Sequence, residues 1–284
     1  MKKSATPYLF LLPALAFLII FKLYPMLFCL FGSFLSSGFG KDKGFVGLQN
    51  YITLFKESAF WQSLKVTLIF NIFINPIQIA AALFMAILVN QKARGIYFFR
   101  SIYYIPVSVS IAVASTIWGI MLNPNNGIVN SFLGLLAIPP QPFFTSERQA
   151  LASIIIIASW KGVAYWMMFL LAGLQGISES IYEAARIDGS NRINTVFKIT
   201  IPLLRRPLAF VIVADTIANL LLFAPMYILT NGGPRMSTNV LMYEAYKSAF
   251  SFVDMGRAYS IVTLLLLLIF VVVSVQLRLL KADY

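Results

Sequence analysis

Long apolar runs separated by short polar stretches set the frame of this chain of 284 residues. A helix needs about 20 mostly apolar residues to cross the hydrocarbon of a bilayer. Segments 8–35, 66–90, 102–122, 151–175, 207–230 and 255–277 qualify. Runs such as Ile261–Val273 are apolar on every face, whereas a barrel strand alternates apolar and polar positions over about ten residues. The pattern predicts an all-α polytopic membrane protein: six transmembrane helices in one integral domain over residues 1–284, with modest loops. The first run greatly exceeds the roughly 7–15 residues of a signal-peptide core, so it reads as an uncleaved span. Lys22 interrupts it and needs a partner or a snorkelling route, and Pro25 predicts a kink.

Composition agrees and narrows the class. The chain is 60% hydrophobic and 11% charged, and its mean hydropathy is +0.83. Soluble domains run nearer half apolar and a quarter charged. Disorder and nucleic-acid binding are excluded despite the net charge of +12, because the apolar runs leave no solvated basic face. The cations read instead as orientation signals. Lys2, Lys3, Lys92, Arg94, Arg100, the cations from Arg186 to Arg206, Arg278 and Lys281 outnumber those of the opposite loops, which include Lys41 and Lys43. Both termini are therefore expected in the cytoplasm. The chain has no histidine and a single cysteine, Cys29, so no imidazole base, internal disulfide or multi-cysteine metal site is expected. No G-x-x-x-x-G-K-[ST] phosphate cradle occurs, and neither a cofactor nor a metal is expected.

The loop between the fourth and fifth spans, residues 177–206, carries the densest signal. It reads as two short helices around a sharp turn. Ser180 with Glu183 forms a capping-box pattern, Gly189 sits where a left-handed stop is wanted, and Ser190 or Asn191 can cap the second helix. Pro202 is expected to end that helix, and Pro207 suits the first turn of the next span. Ala184, Ala185 and Gly189 leave room for close approach, and Glu183, Arg186 and Asp188 border them with charge. A docking knob and an amphipathic connector lying on the bilayer are both open readings.

Spacing separates them. Glu183-Ala184-Ala185, three residues, Gly189, nine residues, then Ile199-x-Ile201-Pro202 resembles the EAA loop of binding-protein-dependent ABC importer permeases, with Ile201 where that family usually has Leu. Tyr182 to Gly189 is similar to the carbohydrate-uptake branch, of the maltose or glycerol-phosphate permease type. Further similarity lies in Leu229-Thr-Asn-Gly-Gly-Pro234, Thr238, Leu241, Tyr243, Ala249-Phe250 and Gly256-x-Ala258. Leu12-Pro13-Ala14, Tyr24-Pro25 and Leu48-Gln49-Asn50-Tyr51 match more weakly. The resemblance implies a type I importer permease in a bacterial or archaeal cytoplasmic membrane, with a cytoplasmic coupling helix in the EAA loop. It would pair with a second permease, usually a different homologous chain. Two ABC ATPase subunits and an extracytoplasmic solute-binding protein complete the expected assembly. Tyr182, Glu183, Ala184, Ala185, Asp188 and Gly189 are then the expected ATPase-coupling residues, and the cargo a sugar or related polyhydroxy solute.

Polar groups inside spans mark the candidate path, because each is costly in hydrocarbon. Asp215 and Asn219 lie four apart on one face of the fifth span. Trp160, Lys161, Tyr165 and Trp166 form a polar-aromatic group expected near the outer end of the fourth span, and Asn71, Asn75 and Gln78 a stripe on the second, kinked at Pro76. Asp215, Asn219, Trp160 and Tyr165 are the expected solute contacts, since aromatic faces stack on sugar rings while carboxylates and amides bond hydroxyls. Structural roles compete. Trp166 suits an interfacial belt, the amides suit bonds between helices, and Asp215 could pair with Lys22 or the second permease. The alternative function is a stand-alone secondary transporter, and an intramembrane enzyme lacks the buried acids it would need.

Overall fold

The computed structural model describes residues 6–36, 44–91 and 93–280, with side chains from Phe10 onward. Lys2, Lys3, Lys41, Lys43, Lys92 and Lys281, which enter the orientation reading, lie outside the described residues. Fifteen α-helices follow in order: α1 (Thr6–Leu18), α2 (Tyr24–Gly32), α3 (Gln49–Lys56), α4 (Ser58–Val89), α5 (Ile96–Ser108), α6 (Ile111–Met121), α7 (Ile128–Leu135), α8 (Ala150–Gln175), α9 (Glu179–Ile187), α10 (Arg192–Thr195), α11 (Ile201–Leu203), α12 (Arg205–Leu220), α13 (Ala224–Leu229), α14 (Leu241–Phe250) and α15 (Met255–Leu279). Among the described residues five helical stretches are long and apolar enough to cross a membrane: Phe10–Gly32, Ser58–Val89, Ala150–Gln175, Arg205–Leu229 and Met255–Leu279. The pair α5 and α6 makes a sixth if counted as one span.

That pair corrects the straight third span expected over 102–122, because the two helices meet at 96°. Backbone chemistry explains why the corner survives in an apolar setting. Ser110 Oγ accepts from the Val113 N–H at 3.2 Å and caps α6. On the other side Lys161 Nζ donates to the carbonyls of Pro106, Val107 and Val109, at 3.2, 2.9 and 2.6 Å. These are the orphan acceptors that a broken helix leaves behind. Lys161 is thus spent on α5.

The chain divides into two compact units, whose boundaries fall within α4, α14 and α15. One holds the chain up to Trp61 with Glu244–Leu267. In it a π turn at Ile19–Leu23 joins α1 to α2 and places Pro25 in the first turn of α2, where a missing N–H costs little. Asn50 Nδ2 donates to the Ser33 and Leu35 carbonyls at 2.8 and 3.0 Å, closing the end of α2. A Cβ on Gly32 would stand 2.6 Å from the Tyr259 ring, and one on Gly256 2.9 Å from the Leu35 carbonyl, so both glycines permit close backbone approach. Arg257 ties this unit together through Glu57 Oε2 at 2.6 Å, Glu244 Oε1 at 2.7 Å and Ser248.

The other unit runs from Gln62 to Tyr243 and resumes at Leu268. Ala82, Ala86, Met167, Leu170, Leu174, Leu204 and Val211 form its apolar core, and α5 and α12 pack on α8. A Cβ on Gly173 would meet the Pro207 ring at 2.7 Å, which sets how closely α8 and α12 approach. The fifth span is interrupted at Leu221–Phe223, and Pro225 opens α13. The Thr-Asn-Gly-Gly-Pro segment makes a reversal held by Thr230 Oγ1 and Thr238 Oγ1 at 2.7 Å and by Thr238 Oγ1 donating to the Gly233 carbonyl at 2.9 Å. Asn239 Nδ2 to Ser63 Oγ and the Leu241 N–H to Thr67 Oγ1, at 2.6 and 2.8 Å, pin the chain beyond this reversal to α4.

Candidate functional site

Two regions hold the candidate residues, and both lie within the unit from Gln62 to Tyr243 together with its C-terminal continuation. The first is the loop after α8. Its helix α9 begins at Glu179 after an extended Ser178, two residues before the expected start. Ser180 and Glu183 therefore both sit inside the helix and form no capping box. Ser178 Oγ lies 2.8 Å from Ser180 Oγ, and Glu179 in the first turn complements the positive end of the helix. The other end follows expectation. Gly189 adopts φ +76°. The Ser190 N–H reaches the Ala185 carbonyl at 2.9 Å and the Gly189 N–H reaches Arg186 at 3.1 Å. This double closure needs a left-handed residue at that one position.

The second helix of the loop is capped by Asn191, whose Oδ1 accepts from the Asn194 N–H at 2.8 Å. It does not end at Pro202. A π turn at Val196–Thr200 leads into α11, where Pro202 is a first-turn residue, and the path breaks at Leu204.

Burial divides the expected coupling residues. Glu183, Ala184, Asp188 and Gly189 are exposed. Ala185 is only 6% exposed, and Tyr182 is half-buried with its hydroxyl 3.4 Å from Thr200 Oγ1. The close-fit face expected of Ala184 and Ala185 is thus reduced to Ala184, because Ala185 packs inward against its own chain. Beside it stand apolar residues that the sequence reading passed over: Ile187 is 87% exposed, and Ile193 and Phe197 are exposed as well. An apolar residue on the charged side of an amphipathic helix was the signal for Ile187.

The second region is a polar network inside the bundle. Trp166 Nε1 donates to Asp215 Oδ1 at 2.5 Å. Asn219 Nδ2 lies within reach of Asp215 Oδ1, Asn75 Oδ1 and Gln78 Oε1, at 3.0, 2.8 and 3.1 Å. Thr216 Oγ1 accepts from Asn75 Nδ2 at 3.2 Å and from Gln276 Nε2 at 2.8 Å. Gln78 Nε2 donates to the Ala158 carbonyl at 3.2 Å. Gly162 permits that contact, since a Cβ there would stand 2.5 Å from the Gln78 amide. Four stretches of helix, α4, α8, α12 and the end of α15, are joined by these polar bonds.

The geometry revises several expectations. Asp215 is 1% exposed and its bonds go to Trp166 and Asn219 within its own unit, and Lys22 is exposed. Trp166 is buried, so it is a bundle residue and not a belt anchor. Asn219 is buried beside it. Tyr165 packs edge-on against Trp166, ring centroids 4.8 Å apart, and keeps an exposed face. Trp160 is also exposed on one side but pairs with Trp118 at 6.0 Å. The structure thus groups Tyr165, Trp166, Asp215 and Asn219, while Trp160 faces Trp118 on α6 and Lys161 holds the α5–α6 corner. Asp215 Oδ2, Asn71 Oδ1 and Gln276 Oε1 are buried acceptors without a bonded donor. Among the described residues no cluster of three or more His, Cys, Asp and Glu could hold a metal ion.

Comparison with known proteins gives this arrangement its setting. Residues 78–282 match the family described as binding-protein-dependent transport system inner membrane component. The chain is 33% identical over 283 residues to the "Probable ABC transporter permease protein YurN" of Bacillus subtilis, covering 98% of this chain and 96% of that one. It is 32% identical over 274 residues to the "sn-glycerol-3-phosphate transport system permease protein UgpA" of Shigella flexneri, covering 96% and 92%. Its fold matches a chain of a bacterial ABC transporter involved in import of the acidic polysaccharide alginate, with a TM-score of 0.81, 22% identity and coverage of 97% and 94%. A stand-alone secondary transporter and an intramembrane enzyme are set aside by this kinship. The chain belongs to the inner-membrane components of binding-protein-dependent transport systems, and it is a permease subunit of an ABC importer.

Proposed function

We propose that this permease moves a sugar-like polyhydroxy solute into the cytoplasm, driven by two ATPase subunits that dock on the α9 loops of this chain and of a second, homologous permease. An extracytoplasmic solute-binding protein delivers the cargo, and both termini face the cytoplasm. The observation that carries the docking reading is the exposed rim of α9. Glu183, Ala184 and Asp188 stand between a helix start at Glu179 and a fixed stop at Gly189, with Ile187, Ile193 and Phe197 uncovered beside them. Exposed apolar side chains of this size next to a charged border suit a protein cleft better than water. Ala185 and Tyr182 act from behind, holding α9 against the second helix of its loop.

Nucleotide-driven closure would move α9 as a rigid lever and rock the bundle. On the solute side, the exposed faces of Tyr165 and Trp160 offer stacking surfaces. Asp215 and Asn219 lie deeper and are reached when the helices part. The unspent acceptor Asp215 Oδ2 then suits a ligand rich in hydroxyl donors. Two relatives favour such cargo, one named for sn-glycerol 3-phosphate and one for alginate.

The test is co-purification and uptake together. With its cognate ATPase, second permease and solute-binding protein the chain should support uptake of labelled maltose or sn-glycerol 3-phosphate, and Ala184→Trp should abolish both ATPase retention and uptake. Full ATPase retention by Ala184→Trp sinks the docking site. Retained docking without uptake of either probe leaves the docking reading standing and rejects the cargo.

A further inference from the structure

At the end of the bundle that carries α9, a cavity of about 920 Å³ opens between the α4–α5 connection and the start of α9. Three arginines line it, Arg94, Arg100 and Arg186, against one acid, Glu179. Among the described residues, ion pairs at Arg235, Lys247 and Arg257 lie elsewhere. Arg100 uses Nε and Nη2 to close the Val89 carbonyl at 2.9 and 2.7 Å, which fixes the group at the end of α4 with Nη1 left over. Arg186 Nε contacts the Tyr182 carbonyl at 3.4 Å, and Arg94 is exposed. A cavity of this size lies in the range that takes small ligands, roughly 300–1,000 Å³. Its charge selects an anion.

Its surroundings select the kind of anion. Only six residues separate α4 from α5, so the cavity sits where long apolar helices end. Tyr97 lines the cavity and is exposed, and Arg100 lies over its ring at 5.3 Å from the centroid. Exposed aromatic rings at helix ends mark the headgroup level of a bilayer. Leu174, Ile177 and Ile96 supply an apolar wall. The geometry points to a headgroup site for an anionic phospholipid: the phosphodiester lies among Arg94, Arg100 and Arg186, and an acyl chain runs out along the apolar wall past Tyr97. Basic pockets between membrane helices bind anionic headgroups by this chemistry, and arginine forks match phosphate oxygens. Arg186 lies on α9, so the bound lipid would touch the same helix as the proposed ATPase contact. The binding site itself does not depend on that contact.

The test uses the full-length permease purified in detergent and offered equimolar phosphatidylglycerol and phosphatidylcholine, with retained lipid read by native mass spectrometry. Phosphatidylglycerol should dominate. Each arginine near an anionic headgroup is worth about fivefold in affinity, so Arg94→Gln should lower retention about fivefold and Arg94→Gln with Arg186→Gln about 25-fold. Arg94→Lys should keep most of it, which also shows that the position tolerates substitution without loss of the fold. Equal retention of the two lipids, or no response to either Gln variant, overturns the proposal. Inorganic phosphate is the competing source: if it displaces phosphatidylglycerol at equal concentration, the site takes a free anion and the lipid assignment is wrong.

Discussion

The α9 loop and the Trp166–Asp215–Asn219 network carry the candidate chemistry in opposite ways. The loop is exposed and built from contacts a few residues apart: Gly189 with Arg186, Ser190 with Ala185, Asn191 with Asn194. The network is buried and built from residues far apart in sequence, such as Asn219 with Asn75 and Trp166 with Asp215. A surface that must be recognised by another protein has to be preformed without that protein, so local closure suits it. Polar groups in hydrocarbon have no solvent to fall back on, so they must find each other across helices. The difference gives each region its own way to fail. Damage to the loop should uncouple a stable protein, whereas damage to the network should loosen the bundle.

The largest effect on uptake is expected at Gly189. A left-handed residue with a side chain costs about 1–2 kcal/mol, and a β-branched one more. Gly189→Val should therefore lower uptake and ATPase co-purification about tenfold or more, while the amount of chain in the membrane and its melting temperature barely change. A large fall in melting temperature would erase the contrast between the two regions.

The network comes next. Asp215→Leu leaves the Trp166 N–H without an acceptor, while the two Asn219 Nδ2 hydrogens keep Asn75 Oδ1 and Gln78 Oε1, and a stranded buried donor costs about 1–3 kcal/mol. The melting temperature should drop clearly. Asp215→Asn keeps an acceptor and should cost less than half as much. If Asp215→Leu melts like the parent yet loses uptake, Asp215 acts on the solute and not as part of the frame.

Lys161→Met tests the corner between α5 and α6. It strands the carbonyls of Pro106, Val107 and Val109, and polar bonds within membranes average about 0.6 kcal/mol each, so a loss of about 1–2 kcal/mol is expected. Faster proteolysis near Ser108–Ser110 would accompany it. An unchanged proteolysis pattern and melting point would show that the 96° corner stands without the lysine.

This contrast also sorts what could be read from the chain. Hydropathy located the helical stretches because about 20 apolar residues in sequence are a local property. The stop at Gly189 and the cap at Asn191 were legible for the same reason. The 96° corner was hidden, since a window over 102–122 sums hydropathy and is blind to direction. Pro106 hinted at a break, but the lysine that makes the break tolerable lies on α8. Trp166 was misread because its neighbours in sequence resemble an interfacial belt, while the bond that defines it goes to Asp215, 49 residues away. The burial of Ala185 was hidden likewise, as small residues on a helix fit both a partner's cleft and the chain's own core. The Thr-Asn-Gly-Gly-Pro segment could be seen as a motif, but its anchorage through Asn239 to Ser63 on α4 could not.

The smallest expected effect is also the most discriminating. Trp166→Phe keeps an aromatic ring of similar shape beside Tyr165 and Phe169, and removes only the Nε1 donor to Asp215. One membrane hydrogen bond is worth about 0.6 kcal/mol and at most about 1.7. If Trp166 serves the frame, the loss should appear as a small fall in melting temperature with uptake affinity unchanged. Combining it with Asp215→Asn should then cost less than the sum of the two, because both changes weaken one bond. Strict additivity would mean that the indole and the carboxylate act separately. Were the apparent affinity for solute to shift while the melting point held, the indole would belong to the path. The line between frame and path would then run through Asp215 and not in front of it.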